Sequence, residues 1–117
     1  MNYNDLSNEI LDMDLAIRFA GVCDETGVIK YGRERQGIEN VLSLEETKKS
    51  NLQELARWNM RNYLAPKTGK GKYAMAEYEK IKRITFPLED SHLLLITTDV
   101  KADHEKIIKS ILNLLKY

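Results

Sequence analysis

Apolar residues in this chain switch between a helical and an extended spacing, and each switch marks a predicted element. Leu6, Ile10 and Met13 recur at helical spacing, so the sequence predicts a short amphipathic helix over residues 5–13. Asn4 is the predicted cap, because its side-chain oxygen can accept a free amide of the first turn. The chain therefore opens with a helix that has one apolar side.

A β-hairpin is predicted next. Residues 15–23 alternate, with Ile17, Phe19 and Cys23 on one face of a strand. Residues 24–27 read Asp-Glu-Thr-Gly, an acidic start and a glycine end that favour a tight turn. The return strand follows at once and is predicted to close at Gly32, before a polar stretch that favours a loop or an irregular helical turn.

A long helix is predicted in the middle of the chain. Ser43 and Glu46 form a capping box, in which the serine caps the amides ahead and the glutamate reaches back. The apolar residues behind it follow the helical period: Leu52, Leu55, Ala56, Met60, Tyr63 and Leu64. Trp58 falls beside this stripe. The helix is predicted to end near Leu64, because Pro66 stops it.

The second half is predicted to form further strands and a closing helix. Residues 67–72 form a loop rich in glycine and lysine, and residues 73–88 alternate as one long bent strand or two short ones. Lys80 and Lys82 interrupt the alternation, which favours a bulge or a second turn there. The apolar run at 93–96 indicates a central strand buried on both faces, and residues 103–115 carry the wide apolar stripe of a helix.

These elements give the order α-β-β-α-β-β-α. The simplest way to bury them is an α+β domain with a single antiparallel sheet of about four to five strands and helices packed on it. The 117 residues are close to the commonest domain length, so one domain over 1–117 is expected.

Two resemblances follow from these stretches. The segment "IRFAGVCDETGVIKYG" is similar to the opening hairpin of roadblock and PAS-type domains, and "SHLLLITTDVKADHEKIIKSIL" is similar to their closing strand and helix. The whole order resembles the roadblock/longin/profilin-like group. Separately, "RFAGVCDETG", "ETKKSNLQELARW" and "LAPKTGKGKYAMAEYEKIKRITFPL" resemble a family of short uncharacterised archaeal proteins, a resemblance that implies no activity.

Composition restricts the class of protein further. Apolar residues make up 43% and charged residues 31%, which is typical of a globular chain. The longest aliphatic run is the four residues 93–96, so no membrane span is expected. The acidic residues 1–14 lack the basic start of a secretory signal. Cys23 is the only cysteine, which excludes an internal disulfide and favours the cytoplasm.

The sequence offers no catalytic or cofactor signature. Cys23 needs a histidine within hydrogen-bond reach to act as a nucleophile, and we expect His92 and His104 to be solvated. Two histidines without a second cysteine make no zinc site. The loop 67–72 is not a phosphate-binding P-loop, since Gly71 stands where that motif needs Ser or Thr. We therefore predict a protein that is not an enzyme and has no cofactor.

Positive charge is local. Net charge is zero, yet residues 67–87 hold six basic and two acidic side chains. Basic groups that hold phosphates and aromatic rings that stack bases are typical of single-strand binding. The candidate residues for an anion or nucleic acid are Arg57, Arg61, Lys67, Lys70, Lys72, Tyr73, Lys80, Lys82 and Arg83. The zero net charge makes this the second hypothesis.

The leading hypothesis is a non-enzymatic interaction module, a homodimer or the ligand of a protein partner. Edges of an open sheet must be charged, covered or paired. Two alternatives follow for residues 73–88: Lys80, Lys82 and Arg83 protect an edge by their charge, or the segment pairs with a second chain. Trp58 is the candidate interface anchor if it is partly exposed, and Tyr78 is the other candidate interface residue. A PAS-like sensor with a small-ligand pocket between sheet and helices is the third hypothesis. We expect the functional surface on the second hairpin and the helix that precedes it.

Overall fold

The predicted α+β class with one antiparallel sheet is confirmed. The structure is a computed structural model that describes residues 2–116. Its elements are α1 (Tyr3–Met13), β1 (Ile17–Cys23), β2 (Ile29–Glu34), α2 (Leu44–Thr68), β3 (Ala74–Glu77), β4 (Ile81–Pro87), β5 (Leu93–Asp99) and α3 (His104–Leu114), with a short 3-10 turn at Glu89–Ser91. Residues 73–88 thus contain two strands, the second of the two alternatives.

The five strands lie in the order β2-β1-β5-β4-β3, and every neighbouring pair is antiparallel. The prediction of a central strand at 93–96 is confirmed, because β5 lies between β1 and β4 and all four residues are buried. β2 and β3 are the two edges. β4, which carries Lys82 and Arg83, is an interior strand, so the expectation that these residues protect a sheet edge is wrong.

Helices cover both faces of the sheet. α1 and α3 pack on one face over the larger core, which includes Ile10, Ile84, Phe86, Ile96 and Ile111. α2 packs alone on the other face. The core beneath it consists of Leu55 and Trp58 of α2 with Cys23, Leu93 and Leu95 of the sheet. Alternate residues of β5 serve the two cores, as the pleat of a strand requires.

The first hairpin has the predicted turn. Asp24 accepts hydrogen bonds from both the backbone N–H and the hydroxyl of Thr26, and Gly27 has a φ of 82°. The return strand β2 continues past Gly32, contrary to the prediction. Gly32 pairs with Gly21, and the ring of Phe19 lies across both; a side chain on either glycine would collide with that ring. Strand pairing therefore continues where the sequence suggested an end.

Two helix boundaries differ from the prediction. α1 begins earlier, because Asn2 rather than Asn4 caps it by accepting from the amide of Asp5. The capping box of α2 is confirmed, but Pro66 lies inside the helix, which continues to Thr68. A proline this close to the end removes only one late hydrogen bond, and Gly69, at a φ of 84°, closes the last turn by donating to Ala65.

Candidate interaction surface

The outer side of β3 is an open sheet edge. The amide of Tyr78 donates to the carbonyl of Ile81 at 2.8 Å, which closes a tight hairpin between β3 and β4. Hydrogen-bonded and non-bonded pairs alternate along an antiparallel ladder, so Met75 and Glu77 direct their N–H and C=O groups away from β4. Within residues 2–116 no strand pairs with that side. β3 therefore presents backbone groups that another strand can complete.

The side of α2 that faces away from the sheet carries a stripe of exposed apolar residues. Of the six residues in the predicted stripe only Leu55 is buried. The other five share an exposed face that we call the outer stripe: Leu52, Ala56, Met60, Tyr63 and Leu64. Tyr63 is 78% exposed and Met60 57%. Single exposed apolar residues are ordinary, but five on one helix face are typical of an interaction surface.

Trp58 is buried, so the prediction of a partly exposed anchor is wrong. Only 2% of its surface is exposed, and its indole N–H donates to the hydroxyl of Thr85 at 2.9 Å. Gly71 makes room for the ring, since a Cβ there would lie 2.7 Å from Trp58 Cζ3. Trp58 and Leu55 thus form the side of α2 that rests on the sheet.

The predicted basic set does not form one surface. Lys82 is 5% exposed, and its Nζ donates to the carbonyl of Ala102 at 2.8 Å and lies 2.9 Å from His104 Nδ1. His104 is accordingly half-buried rather than solvated. Four lysines remain exposed: Lys67 in the last turn of α2, Lys70 and Lys72 in the loop after it, and Lys80 in the hairpin turn. Tyr73 is also exposed, with its ring 6.3 Å from that of Phe86.

Three arginines of that set do meet, in a cleft between α2 and β3 that we call the arginine cleft. Its volume is about 80 Å³, and Arg57, Arg61 and Arg83 line it together with Glu54. Residues of β3 and β4 and of the turn between them complete the lining, among them Tyr78 and Thr85. The alanines of β3 at 74 and 76 leave the space, because they are the small side chains on the α2 side of an alternating strand.

Each arginine of the cleft has a different support. Arg57 donates to Glu54 at 2.7 Å. Arg61 lies over the Trp58 ring, 4.6 Å from the ring centre, as a cation–π contact. Arg83 crosses from β4 to α2 and donates to Ser50 and Asn51. The sequence-based candidates included all three arginines but neither Glu54 nor Thr85. The helical spacing of Glu54 to the arginines of α2 is the one signal that could have indicated it, and Thr85 has no such signal.

A second cavity of about 120 Å³ lies on the other flank of α2, beneath residues 35–43, and we call it the loop cavity. Its apolar lining includes Phe19, Ile29, Ile38, Leu42 and Leu95. Charged residues also line it, among them Arg18, which donates to Asp99 at 3.0 Å. The structure thus has a cavity between the sheet and the segment that leads into α2, while the small-ligand sensor of the third hypothesis stays a prediction.

Cys23 lies in the core beneath α2, whereas the His92 ring lies against Tyr3 of α1, on the other face of the sheet. Cys23 is fully buried, and burial raises the pKa of its thiol to about 11, so it is a protonated core residue at neutral pH. Among the described residues no three metal-binding side chains cluster. In the same part of the chain, each helix is too short or too polar to cross a bilayer.

The fold is that of Roadblock/LC7 domains, which confirms the roadblock-like topology expected from the sequence. A Roadblock/LC7 domain from Streptomyces avermitilis superposes with a TM-score of 0.64 at 10% identity, over 100% of both chains. The gliding protein MglB from Thermus thermophilus gives 0.64 at 15% identity, over 92% of this chain and 83% of its own. MglC from Myxococcus xanthus gives 0.63 at 11%, over 97% and 92%. No protein-family model and no curated protein matches the sequence.

Proposed function

We propose that this protein is a non-enzymatic interaction module that forms a homodimer through the β3 edge and the outer stripe of α2. The single observation that carries the proposal is the open backbone of β3 at Met75 and Glu77. A second copy has the same edge, and two such edges pair about a twofold axis, the commonest symmetry of protein dimers. Each copy then satisfies the backbone groups of the other.

The outer stripe supplies the area that a short strand lacks. A stable interface buries about 1,200–2,000 Å² in total, more than a pair of four-residue strands offers. Met60 and Tyr63 add exposed apolar surface on the helix that covers the same sheet face. The fold neighbours support association, since one MglB structure is described as having a tetrameric arrangement. A regulatory or scaffolding role in the cytoplasm fits such a module.

The oligomeric state tests this proposal. Sedimentation equilibrium on the wild-type chain is expected to give twice the mass of the 13.6 kDa monomer at micromolar concentration. Met60→Glu places a charge on the outer stripe and is expected to weaken the dimer by about tenfold or more, since the charge loses its water on association. Leu15→Glu is the matched control, because Leu15 is 84% exposed and lies outside the proposed interface.

Two results would overturn the proposal. One is a wild-type chain that stays monomeric at every concentration tested. The other is a dimer that Met60→Glu and Leu15→Glu weaken to the same degree. A circular-dichroism spectrum of each variant shows that the fold is retained before the masses are compared.

The loop cavity favours a second candidate function, the sensing of a small apolar ligand. Its lining is mainly apolar and includes charged residues, which is the usual composition of a small-molecule site. A ligand that binds only the folded chain raises its unfolding temperature. A thermal-shift screen with fatty acids and aromatic acids tests this candidate; Leu42→Arg should abolish any shift, and a screen with no stabilising compound would reject it.

A further inference from the structure

The arginine cleft carries more positive charge than its own residues neutralise. Three guanidinium groups line it, and Glu54 is the only carboxylate among its lining residues. Glu54 accepts from Arg57 at 2.7 Å, so one charge is compensated and the charges of Arg61 and Arg83 are left over. Two uncompensated cations in one small cleft repel each other unless an anion joins them.

Arg61 shows this lack most directly. Its Nη1 is buried and, within residues 2–116, has no hydrogen-bond partner; it is the one side-chain nitrogen or oxygen in that state. A buried donor without an acceptor destabilises the fold, and more so when it is charged. Native proteins satisfy nearly all such groups with protein, water or a bound ion. This nitrogen therefore needs an acceptor that the described residues do not supply.

The donors around the cleft are held in place before any ligand arrives. The ring of Trp58 supports Arg61, while Ser50 and Asn51 hold Arg83. The hydroxyl of Thr85 lines the cleft and accepts from the Trp58 indole, which leaves its own proton free to donate. Such fixed donors lose little conformational entropy when a ligand binds.

We propose that the arginine cleft binds a phosphate group, either inorganic phosphate or a small phosphate monoester. Phosphate carries about two negative charges near neutral pH, which matches the two uncompensated arginines better than a single carboxylate does. Guanidinium forks bind its oxygens in pairs. The volume of about 80 Å³ is several times that needed for one water and admits one oxyanion.

This site does not depend on the proposed dimer, because all of its donors belong to one chain. It does lie beside β3, so a bound phosphate sits next to the edge proposed for association. Phosphate binding and dimer mass are therefore measured on the same samples. A chain that binds phosphate but stays monomeric supports the phosphate site and rejects the proposed dimer. A chain that dimerises but does not bind phosphate supports the dimer and rejects the phosphate site.

The protein's single tryptophan gives the test a specific reporter. The indole N–H signal of Trp58 is followed by NMR during titration with sodium phosphate, glycerol phosphate and, as control, sodium acetate, all at constant ionic strength. We expect a saturable shift with phosphate, and a similar or larger one with glycerol phosphate if the ligand is an ester. Acetate is expected to bind at least about tenfold more weakly, since it forms fewer charge-assisted hydrogen bonds.

Two variants and a matched control locate the site. Arg61→Gln is expected to weaken phosphate binding about tenfold or more, through the loss of a charge-assisted pair. Arg57→Gln keeps the Trp58 contact intact and is expected to weaken binding as well. Arg33→Gln, which removes an arginine on β2 that donates to Asn8, should leave binding unchanged. A shift that does not saturate, or that all three variants reduce equally, would overturn the proposal.

Discussion

The indole nitrogen of Trp58 lies 2.9 Å from the hydroxyl oxygen of Thr85, and this hydrogen bond joins α2 to β4. Both residues are buried, so each group depends on the other for its partner. The same ring also supports Arg61 in the arginine cleft. One side chain thus fixes how the long helix rests on the sheet and how the cleft between them is formed.

A double-mutant cycle tests this bond. Trp58→Phe leaves the Thr85 hydroxyl without its donor, and Thr85→Val leaves the indole N–H without an acceptor. We expect each to lower the free energy of unfolding by about 1–3 kcal/mol, because a buried polar group loses its partner. The double variant should cost less than the sum by about 0.5–3 kcal/mol. Urea unfolding measures all four proteins, and strictly additive losses would show that the bond contributes nothing.

The turn of the first hairpin predicts a dependence of stability on pH. The hydroxyl and the amide of Thr26 donate to Asp24 and lower the pKa of that carboxyl, with a smaller contribution from Lys30. A lowered pKa stabilises the fold at pH values above the unfolded pKa, and the stabilisation is lost as pH falls through the folded pKa.

Thr26→Ala removes the hydroxyl and should move the pKa of Asp24 back up towards its ordinary value. The acid loss of stability still begins near the unfolded pKa, but it is smaller than in the wild type and is complete at a higher pH. Carbon-13 NMR of the Asp24 carboxyl measures its pKa. Urea unfolding measures the stability across about pH 2–6, a range that brackets the ordinary pKa of an aspartate. An unchanged pKa in Thr26→Ala would mean that the hydroxyl bond has no effect on this group.

Cys23 should resist thiol reagents in the folded protein. Its side chain is fully buried, and burial raises the pKa of the thiol to about 11, so little thiolate exists at pH 8. We expect iodoacetamide to label it slowly in buffer and completely in denaturant. Since the chain has one cysteine, mass spectrometry should show at most one label. Rapid labelling under native conditions would contradict the packing of the core beneath α2.

Local signals in the sequence predicted much of the fold. The Asp24–Gly27 turn and the Ser43 capping box depend on residues close in sequence, so the sequence alone is enough to predict them. The apolar run at 93–96 marked the central strand for the same reason. What these elements share is that their hydrogen bonds and burial follow from their own residues.

The candidate site was less predictable because it depends on which side of α2 meets the sheet. The helix has two apolar sides, one with Leu55 and Trp58 and the other with Met60 and Tyr63, and periodicity cannot rank them. Lys82 has the sequence context of a surface cation, yet its amine reaches a carbonyl twenty residues away. The spacing of neighbouring residues in the sequence does not indicate a contact of that kind.

The central claim, a dimer through the β3 edge, is tested most directly by two matched proline variants. Glu77→Pro removes an outward N–H from β3 but none of the bonds to β4, and Glu34→Pro does the same on the opposite edge, β2. Sedimentation equilibrium of wild type and both variants gives the masses. The account predicts a dimer for the wild type and Glu34→Pro and a monomer for Glu77→Pro. A Glu77→Pro chain that dimerises as tightly as the wild type would contradict it.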